Sequence, residues 1–142
     1  RDLIIGGVRI THEKGLLGHS DADVLVHAII DALLGALVLD DIGTLFPDTD
    51  PKYKNADSMV LLHHVYQKIQ QEGYKINNID SNIIAQNPKM MPYIPKMKEV
   101  LARELEIELL DISIKAKTKE KLDAVGENKA IEANAVVLLI AK

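Results

Sequence analysis

The sequence predicts an α+β fold, a single-domain two-layer sandwich in which a mixed sheet is covered on one face by helices. Three observations predict it. Apolar spacing alternates between the helical and the strand period, in the order β-α-α-β-α-β-β. No internal repeat, low-complexity segment or linker interrupts the 142 residues, a length that fits one domain. A hydrophobic fraction of 47% supplies a core and a charged fraction of 27% supplies a soluble surface. A domain of this length buries roughly 68–70% of its unfolded surface. It therefore needs no disulfide staples, and the chain has no cysteine to make them. That absence fits a reducing compartment and removes any thiolate metal site or cysteine nucleophile.

Each element has its own signal. Leu3 to Ile10 reads as a strand interrupted at Gly6-Gly7 by a bulge or a close backbone approach. His12 to His19 is a loop punctuated by Gly15 and Gly18. Ser20 or Asp21 is expected to cap a helix running from about Asp21 to Leu39, mostly apolar through Val24, Leu25, Ile29, Ile30, Leu33, Leu34 and Leu37. Helical spacing puts Asp23, His27 and Asp31 on one face of it, a polar stripe on an otherwise apolar helix. Asp40 to Pro51 is a loop dense in acid, glycine and proline.

Asp57 to Gln71 reads as an amphipathic helix stopped by Gly73, and Ile76 to Ala85 alternates as a strand. Gln86 to Pro95 holds three prolines in a loop, with Pro92 suited to the first turn of a helix that runs to about Glu106. Ile112 to Lys117 and Ile131 to Ala141 read as two more strands, joined by the polar stretch Thr118 to Ala130. The run Val136 to Ile140 is so apolar that burial on both faces is expected, the second face against other subunits.

Composition excludes several classes. The formal net charge is -4 with no basic stripe, which argues against a duplex nucleic-acid binder. One Phe, four Tyr and no Trp make a base-stacking platform for single strands a poor fit. No apolar run approaches the roughly 18–20 residues of a membrane span. No signal peptide is visible, and the chain opens at Arg1-Asp2 directly before an apolar strand, so a preceding N-terminal segment is expected.

Five places can carry chemistry. His19-Ser20 stands at a helix mouth, where backbone N–H groups favour an anion such as phosphate, or else forms an ordinary capped turn. His27 sits among apolar neighbours one turn after Asp23. It is either a metal ligand with a supporting carboxylate or a core histidine with a satisfied hydrogen bond. Asp40, Asp41, Asp48 and Asp50 with Phe46 offer carboxylates for polyol hydroxyls beside an apolar wall, or a solvated turn. Gln86 to Pro92 is a stiff loop whose main chain can read a base edge, or a plain connector. Lys115 to Lys121 carries Thr118 and Glu120 in a basic loop. It suits a diphosphate bridged by Mg²⁺, or is a solvated charge run.

Order and spacing go further than any one of these. GGVRI, then KGLLGHSDADVLVHAIIDALLGAL, DIGTLFPDTDP, IIAQNPKMMP and IKAKTKEKLDAVGE together resemble the 2-C-methyl-D-erythritol 2,4-cyclodiphosphate synthase family. The resemblance covers essentially the whole chain, and HSDADVLVHA and DIGTLFPDTD are its most specific parts. It implies an enzyme of isoprenoid precursor biosynthesis, a phosphorus-oxygen lyase. The substrate would be 4-diphosphocytidyl-2-C-methyl-D-erythritol 2-phosphate, whose own phosphate attacks the β-phosphate, so that CMP leaves and a cyclic diphosphate closes. Such a reaction needs positioning and charge neutralisation rather than a nucleophile triad.

By the same resemblance His27 is a zinc ligand and Glu120 binds Mg²⁺ or Mn²⁺ between the α- and β-phosphates. His19 and Thr118 steady the transition state, and Ser20 contacts phosphate; Lys117 and Lys119 of the basic loop are expected to bind substrate. Asp41, Ile42 and Gly43 lie near the ribose and methylerythritol, and Phe46, Pro47, Asp48, Thr49 and Asp50 line the methylerythritol pocket. Ala85, Gln86, Asn87, Pro88, Lys89, Met90 and Met91 form the cytidine loop. The resemblance further implies a homotrimer with active sites between neighbours, no nucleic-acid or membrane partner, and a bacterial cytoplasmic or plastid-type location.

Two departures stand out. The family's first strand carries an Asp-x-His pair that completes the zinc site, and nothing before Leu3 provides it. At Ala124 and Glu127, where many members carry an aromatic and an arginine, the chain has a Gly126-Glu127-Asn128 variant followed by Lys129, a point charge in place of a bidentate fork. Two other readings compete. One is a metal-dependent diphosphatase on the same scaffold, separated by its product. The other is a catalytically inactive trimeric nucleotide-binding module, separated by the absence of turnover.

Overall fold

The computed structural model describes residues 3–11, 23–45, 57–126 and 130–142. Its first element corrects a reading of the sequence. Leu3 to Ile10 is a hairpin of two strands, β1 (Leu3–Ile5) and β2 (Val8–Ile10), with Ile5 facing Val8 across the Gly6-Gly7 turn. Both glycines have positive φ, +60° and +75°. That is the pattern of the tight two-residue turn whose twist matches antiparallel strands. Space demands glycine as well. A Cβ on Gly6 would come within 2.8 Å of Met97 Cγ, and one on Gly7 within 2.8 Å of Val100 Cγ1.

Helix α1 runs Val24–Ala36, three residues shorter at its end than the apolar spacing suggested. Its N-cap is Asp23, not the expected Ser20 or Asp21. The helix buries Leu25, Val26, Ile29, Ile30, Leu33 and Leu34, an i, i+4, i+8 stripe with its neighbours. The polar stripe grades outward from buried Asp23 through half-buried His27 to exposed Asp31. A single helical turn, α2 (Ile42–Leu45), follows.

Helix α3 (Ser58–Gln71) is capped by Asp57, whose carboxylate accepts the Met59 N–H at 2.8 Å. Gly73, at φ +89°, turns the chain into β3 (Tyr74–Ile84). A 3₁₀ turn at Met91–Tyr93 takes up Pro92 and leads into α4 (Ile94–Leu105), so that Pro95, not the expected Pro92, sits in the first turn of the helix, as proline's fixed φ allows. It ends on Glu106 in the left-handed conformation. Next come β4 (Ile112–Lys117), the short α5 (Asp123–Gly126) inside the polar stretch, and β5 (Glu132–Ala141).

The sheet is mixed, as expected, in the order β4-β3-β5. β4 lies parallel to β3, with Ile79 against Ile112 and Ile84 against Lys117. The crossover between them is α4, the connection that parallel neighbours require. β5 runs antiparallel to β3, from Ile84 against Glu132 to Tyr74 against Ala141, with an irregularity between Ile76 and Asn78. Ile76, Ile79, Ile83, Ile112 and Ile114 point to one face and are buried in a single core with α1, α3 and α4.

The other face is open in the single chain. There Lys115 Nζ meets Asp80 at 3.0 Å, and Asn82 donates to Asn134 at 2.8 Å. On the same side of β5, Val136 is 72% exposed, Leu138 55% and Ile140 37%. The expectation that β5 is covered on both faces is therefore not met within one chain. One side of it packs through Ala133, Ala135, Val137 and Leu139, and the other presents bare apolar side chains.

Candidate active site

Two polar corners gather the described candidates. The first is built on the N-terminus of α1. Asp23 is 1% exposed. One of its carboxylate oxygens accepts the N–H groups of Gly6 at 2.8 Å and Val26 at 3.1 Å, and the other accepts that of Gly7 at 2.7 Å. A single side chain thus caps the helix and holds the hairpin turn against it. Burial pushes its carboxyl above the usual range; the N–H groups of Gly7, Val26 and Gly6 and the nearby His27 pull back against that. The oxygens of Asp23 thus accept backbone N–H groups from the hairpin turn and from the first turn of α1.

His27 meets a different partner. Its Nε2 lies 3.1 Å from the hydroxyl of Ser58, the first residue of α3, and the same hydroxyl accepts the Asp23 N–H at 3.4 Å. Ser58, itself buried, went unread in the sequence. Its only local signal was its place directly after the capping Asp57. Among the described residues, no group of three or more His, Cys, Asp or Glu side chains could hold a metal ion. Among the described residues the corner offers one imidazole, where a catalytic zinc uses three protein ligands.

The second corner lies at the carboxyl ends of the parallel strands β3 and β4, the end of a parallel pair where ligands characteristically bind. The loop Ala85 to Met91 leaves β3 there, and the segment from Thr118 leaves β4 beside it. The Ala85 N–H donates to the Lys117 carbonyl at 3.0 Å and extends the ladder past both strand ends. Ala85 and Met90 are buried and fix the loop at its two ends, while Asn87, Lys89 and Met91 are exposed. The Gln86 side chain crosses over, its Oε1 accepting the Lys121 N–H at 3.1 Å. Lys117, Thr118, Lys119 and Glu120 are all exposed, and the Thr118 hydroxyl accepts the Glu120 N–H at 3.4 Å.

Asp41 heads α2, its carboxylate accepting the Thr44 N–H at 2.9 Å. The backbone and side-chain hydrogen bonds from Thr44 hold that carboxyl below the usual carboxylate range. Ile42 packs against the core and Gly43 is exposed. His19, Ser20, Phe46, Pro47, Asp48, Thr49, Asp50 and Lys129 lie outside the described residues. Among the described residues, the hydrogen bonds join Asp23, His27 and Ser58 in one group and Gln86 with the Thr118–Gly126 segment in another.

Comparison with known proteins places the chain in a family. Residues 1–140 match the YgbB family. The 2-C-methyl-D-erythritol 2,4-cyclodiphosphate synthase of Clostridioides difficile is 58% identical over 140 residues, 99% of this chain and 87% of that protein. Among solved structures, the bifunctional IspDF of Campylobacter jejuni superposes with a TM-score of 0.92 at 42% identity, covering 100% of this chain and 38% of that one. The CDP complex of IspF from Plasmodium falciparum gives 0.87 at 41% identity, covering 99% of this chain and 85% of that one. No helix among the described residues is long and apolar enough to cross a membrane. With its relatives matched almost end to end and the fold shared, the chain belongs to the YgbB family, whose curated members here are 2-C-methyl-D-erythritol 2,4-cyclodiphosphate synthases.

Proposed function

We infer that this chain converts 4-diphosphocytidyl-2-C-methyl-D-erythritol 2-phosphate to 2-C-methyl-D-erythritol 2,4-cyclodiphosphate and CMP. An oxygen of the 2-phosphate attacks the β-phosphorus. The bond between that phosphorus and the oxygen bridging to the α-phosphate breaks, and CMP departs with the bridging oxygen. No water enters and no covalent enzyme intermediate forms. The protein's part is then to hold both ends of one substrate in line and to neutralise developing charge.

The observation that carries this reading is the pairing of two loops at one sheet end, in a chain that shares 58% of its residues with a synthase of that name. The Ala85–Met91 loop suits a base edge, offering main-chain groups on a segment stiffened by Pro88 and Pro92 and anchored by Ala85 and Met90. Lys117 and Lys119 supply positive charge, and Thr118 supplies a hydroxyl for a phosphate oxygen. Glu120, exposed, fits a Mg²⁺ or Mn²⁺ ion that takes one carboxylate from protein and the rest of its shell from phosphate and water. Such an ion would supply positive charge to the diphosphate, with Glu120 as the residue that holds it. His27 would contribute one ligand to a zinc ion, and no step is assigned to zinc on the strength of one imidazole.

We further propose that the active form is a homotrimer. The His27 and Gln86–Lys121 corners share no hydrogen bond among the described residues, which suits a site completed between neighbouring copies. The exposed row Val136, Leu138 and Ile140 suits burial between them. Asp41, Ile42 and Gly43 then serve the ribose and methylerythritol side, with His19, Ser20 and Phe46 to Asp50 by family resemblance alone.

The test is product analysis with the full-length protein and a divalent cation. Equal amounts of CMP and cyclic diphosphate are expected, and Glu120→Gln should raise the Mg²⁺ concentration giving half-maximal rate. Hydrolysed phosphate in place of the ring would make the protein a diphosphatase; nucleotide binding without turnover would make it an inactive binding module.

A further inference from the structure

The segment Thr118 to Gly126 is held in a backbone path that its sequence does not favour. Glu120, Lys121 and Asp123 all have positive φ, at 52°, 65° and 56°, and none is glycine. Left-handed conformations of this kind cost L-residues free energy, and they persist only where the surroundings dictate them. Most of the support is internal. The Leu122 N–H donates to the Lys119 carbonyl at 2.8 Å, and Asp123 accepts from Val125 at 2.9 Å and from Gly126 at 3.3 Å. Gly126 lies against the Lys121 backbone so closely that an added Cβ would sit 2.4 Å from the Lys121 carbonyl carbon.

Beyond the strand end at Lys117, one hydrogen bond among the described residues ties this segment to another element. It is the bond from the Lys121 N–H to Gln86 Oε1. The Lys121 backbone is therefore gripped from two sides, by Gly126 within the segment and by Gln86 across from the neighbouring loop. Gln86 follows Ala85, whose own N–H already pairs with Lys117. Its side chain thus springs from a fixed point and reaches one residue past Glu120.

We propose that Gln86 is a positioning residue that locks the loop presenting Glu120 to the loop after β3, so that the two halves of a nucleoside-diphosphate site form as one unit. The proposal rests on the function inferred above and deepens it. Gln86 spends its carbonyl oxygen on Lys121 rather than on a base edge. Its role is to set the direction of the Glu120 carboxylate toward a divalent cation held on the diphosphate.

Three full-length variants test it: Gln86→Met, which keeps length and removes the acceptor; Gln86→Glu, which keeps an acceptor oxygen; and Gly126→Ala, which displaces Lys121 from the opposite side. Gln86→Met should raise the Mg²⁺ concentration for half-maximal CMP release roughly three- to tenfold, the scale of one lost hydrogen bond. It should lower the turnover number at low Mg²⁺ more than it raises the KM for substrate. Gln86→Glu should restore most of the Mg²⁺ response, and Gly126→Ala should reproduce the defect. An unchanged Mg²⁺ midpoint with a raised substrate KM would overturn the proposal, because that is the signature of a base reader. A second readout needs no activity. Hydrogen exchange at the Lys121 amide should be faster in Gln86→Met than in the parent, and equal exchange would overturn the lock. A parent protein that releases no CMP would sink the functional reading and leave the exchange result to decide the lock.

Discussion

The two faces of the sheet are made from the same three strands and differ in almost everything else. On the helix side Ile79, Ile83, Ile112 and Ile114 are 1%, 0%, 2% and 7% exposed and fit against α1, α3 and α4. On the other side Lys115, which stands opposite Asn82, reaches diagonally to Asp80; Asn82 also faces Asn134, and three bare aliphatic side chains follow on β5. The packed face is complete within one chain. The open face combines a polar ladder at one end with an apolar row at the other, a mixture that neither solvent nor a helix layer suits throughout. The chain builds its fold from one face, and the other is the face that the proposed trimer would cover.

The sharpest way to break the contrast is to injure the packed face. Ile83 faces Ala133 and Ala116 across the sheet and is fully buried. Ile83→Ala should destabilise the folded chain by about 2–5 kcal/mol, the transfer loss plus the cavity left behind. Denaturant unfolding at fixed protein concentration measures it. A change below about 1 kcal/mol would mean that the helix layer collapses into the gap, and that the packed face is less rigid than its burial implies.

The open face should answer differently. Leu138→Asn removes an aliphatic side chain that is 55% exposed in the single chain. It should alter the chain's own stability by no more than about 0.5 kcal/mol, as surface changes do, while abolishing the proposed trimer. Light scattering and denaturation together separate the effects. A variant that stays trimeric would show that the apolar row is not the contact, and would leave the exposed strand unexplained.

How far this division could be read in advance depends on where each element gets its orders. Ile112 to Lys117 was legible to the residue because alternation and flanking polar residues agree locally. The helix Ser58–Gln71 was legible because Asp57 caps it and Gly73 ends it. Gly6-Gly7 was a hairpin signal read as a bulge, since an eight-residue apolar stretch looks like one strand until the two short strands are known to pair.

The cap of α1 was not legible. Asp23, not the expected cap, also grips Gly6 and Gly7, seventeen and sixteen residues back, and no local rule sees that. The partner of His27 was hidden for the same reason, with Ser58 arriving from thirty-one residues on. The apolar run on β5 was plain, but an apolar run cannot say whether its second face is closed by its own chain or by a copy.

The smallest expected effect probes that last ambiguity. The hydrogen bond from Lys115 holds the Asp80 carboxyl below the ordinary value of 3.8. The sign follows from that direction. A carboxylate with a depressed folded pKa stabilises the fold fully above 3.8, and the contribution fades as pH falls through the lower folded value. Asp80→Asn should therefore leave stability at neutral pH close to that of the parent, since exposed pairs contribute little. It should also flatten the part of the acid arm that belongs to this pair, which thermal melts below pH 3.8 would record. In a free chain that is the whole effect. If a second copy covers the open face, Asp80 and Lys115 are desolvated together, and removing one partner leaves a buried charge without its counterpart. The neutral-pH loss would then grow with protein concentration, tracking assembly. Melts of Asp80→Asn at several concentrations thus ask whether the polar end of the open face is buried along with its apolar end.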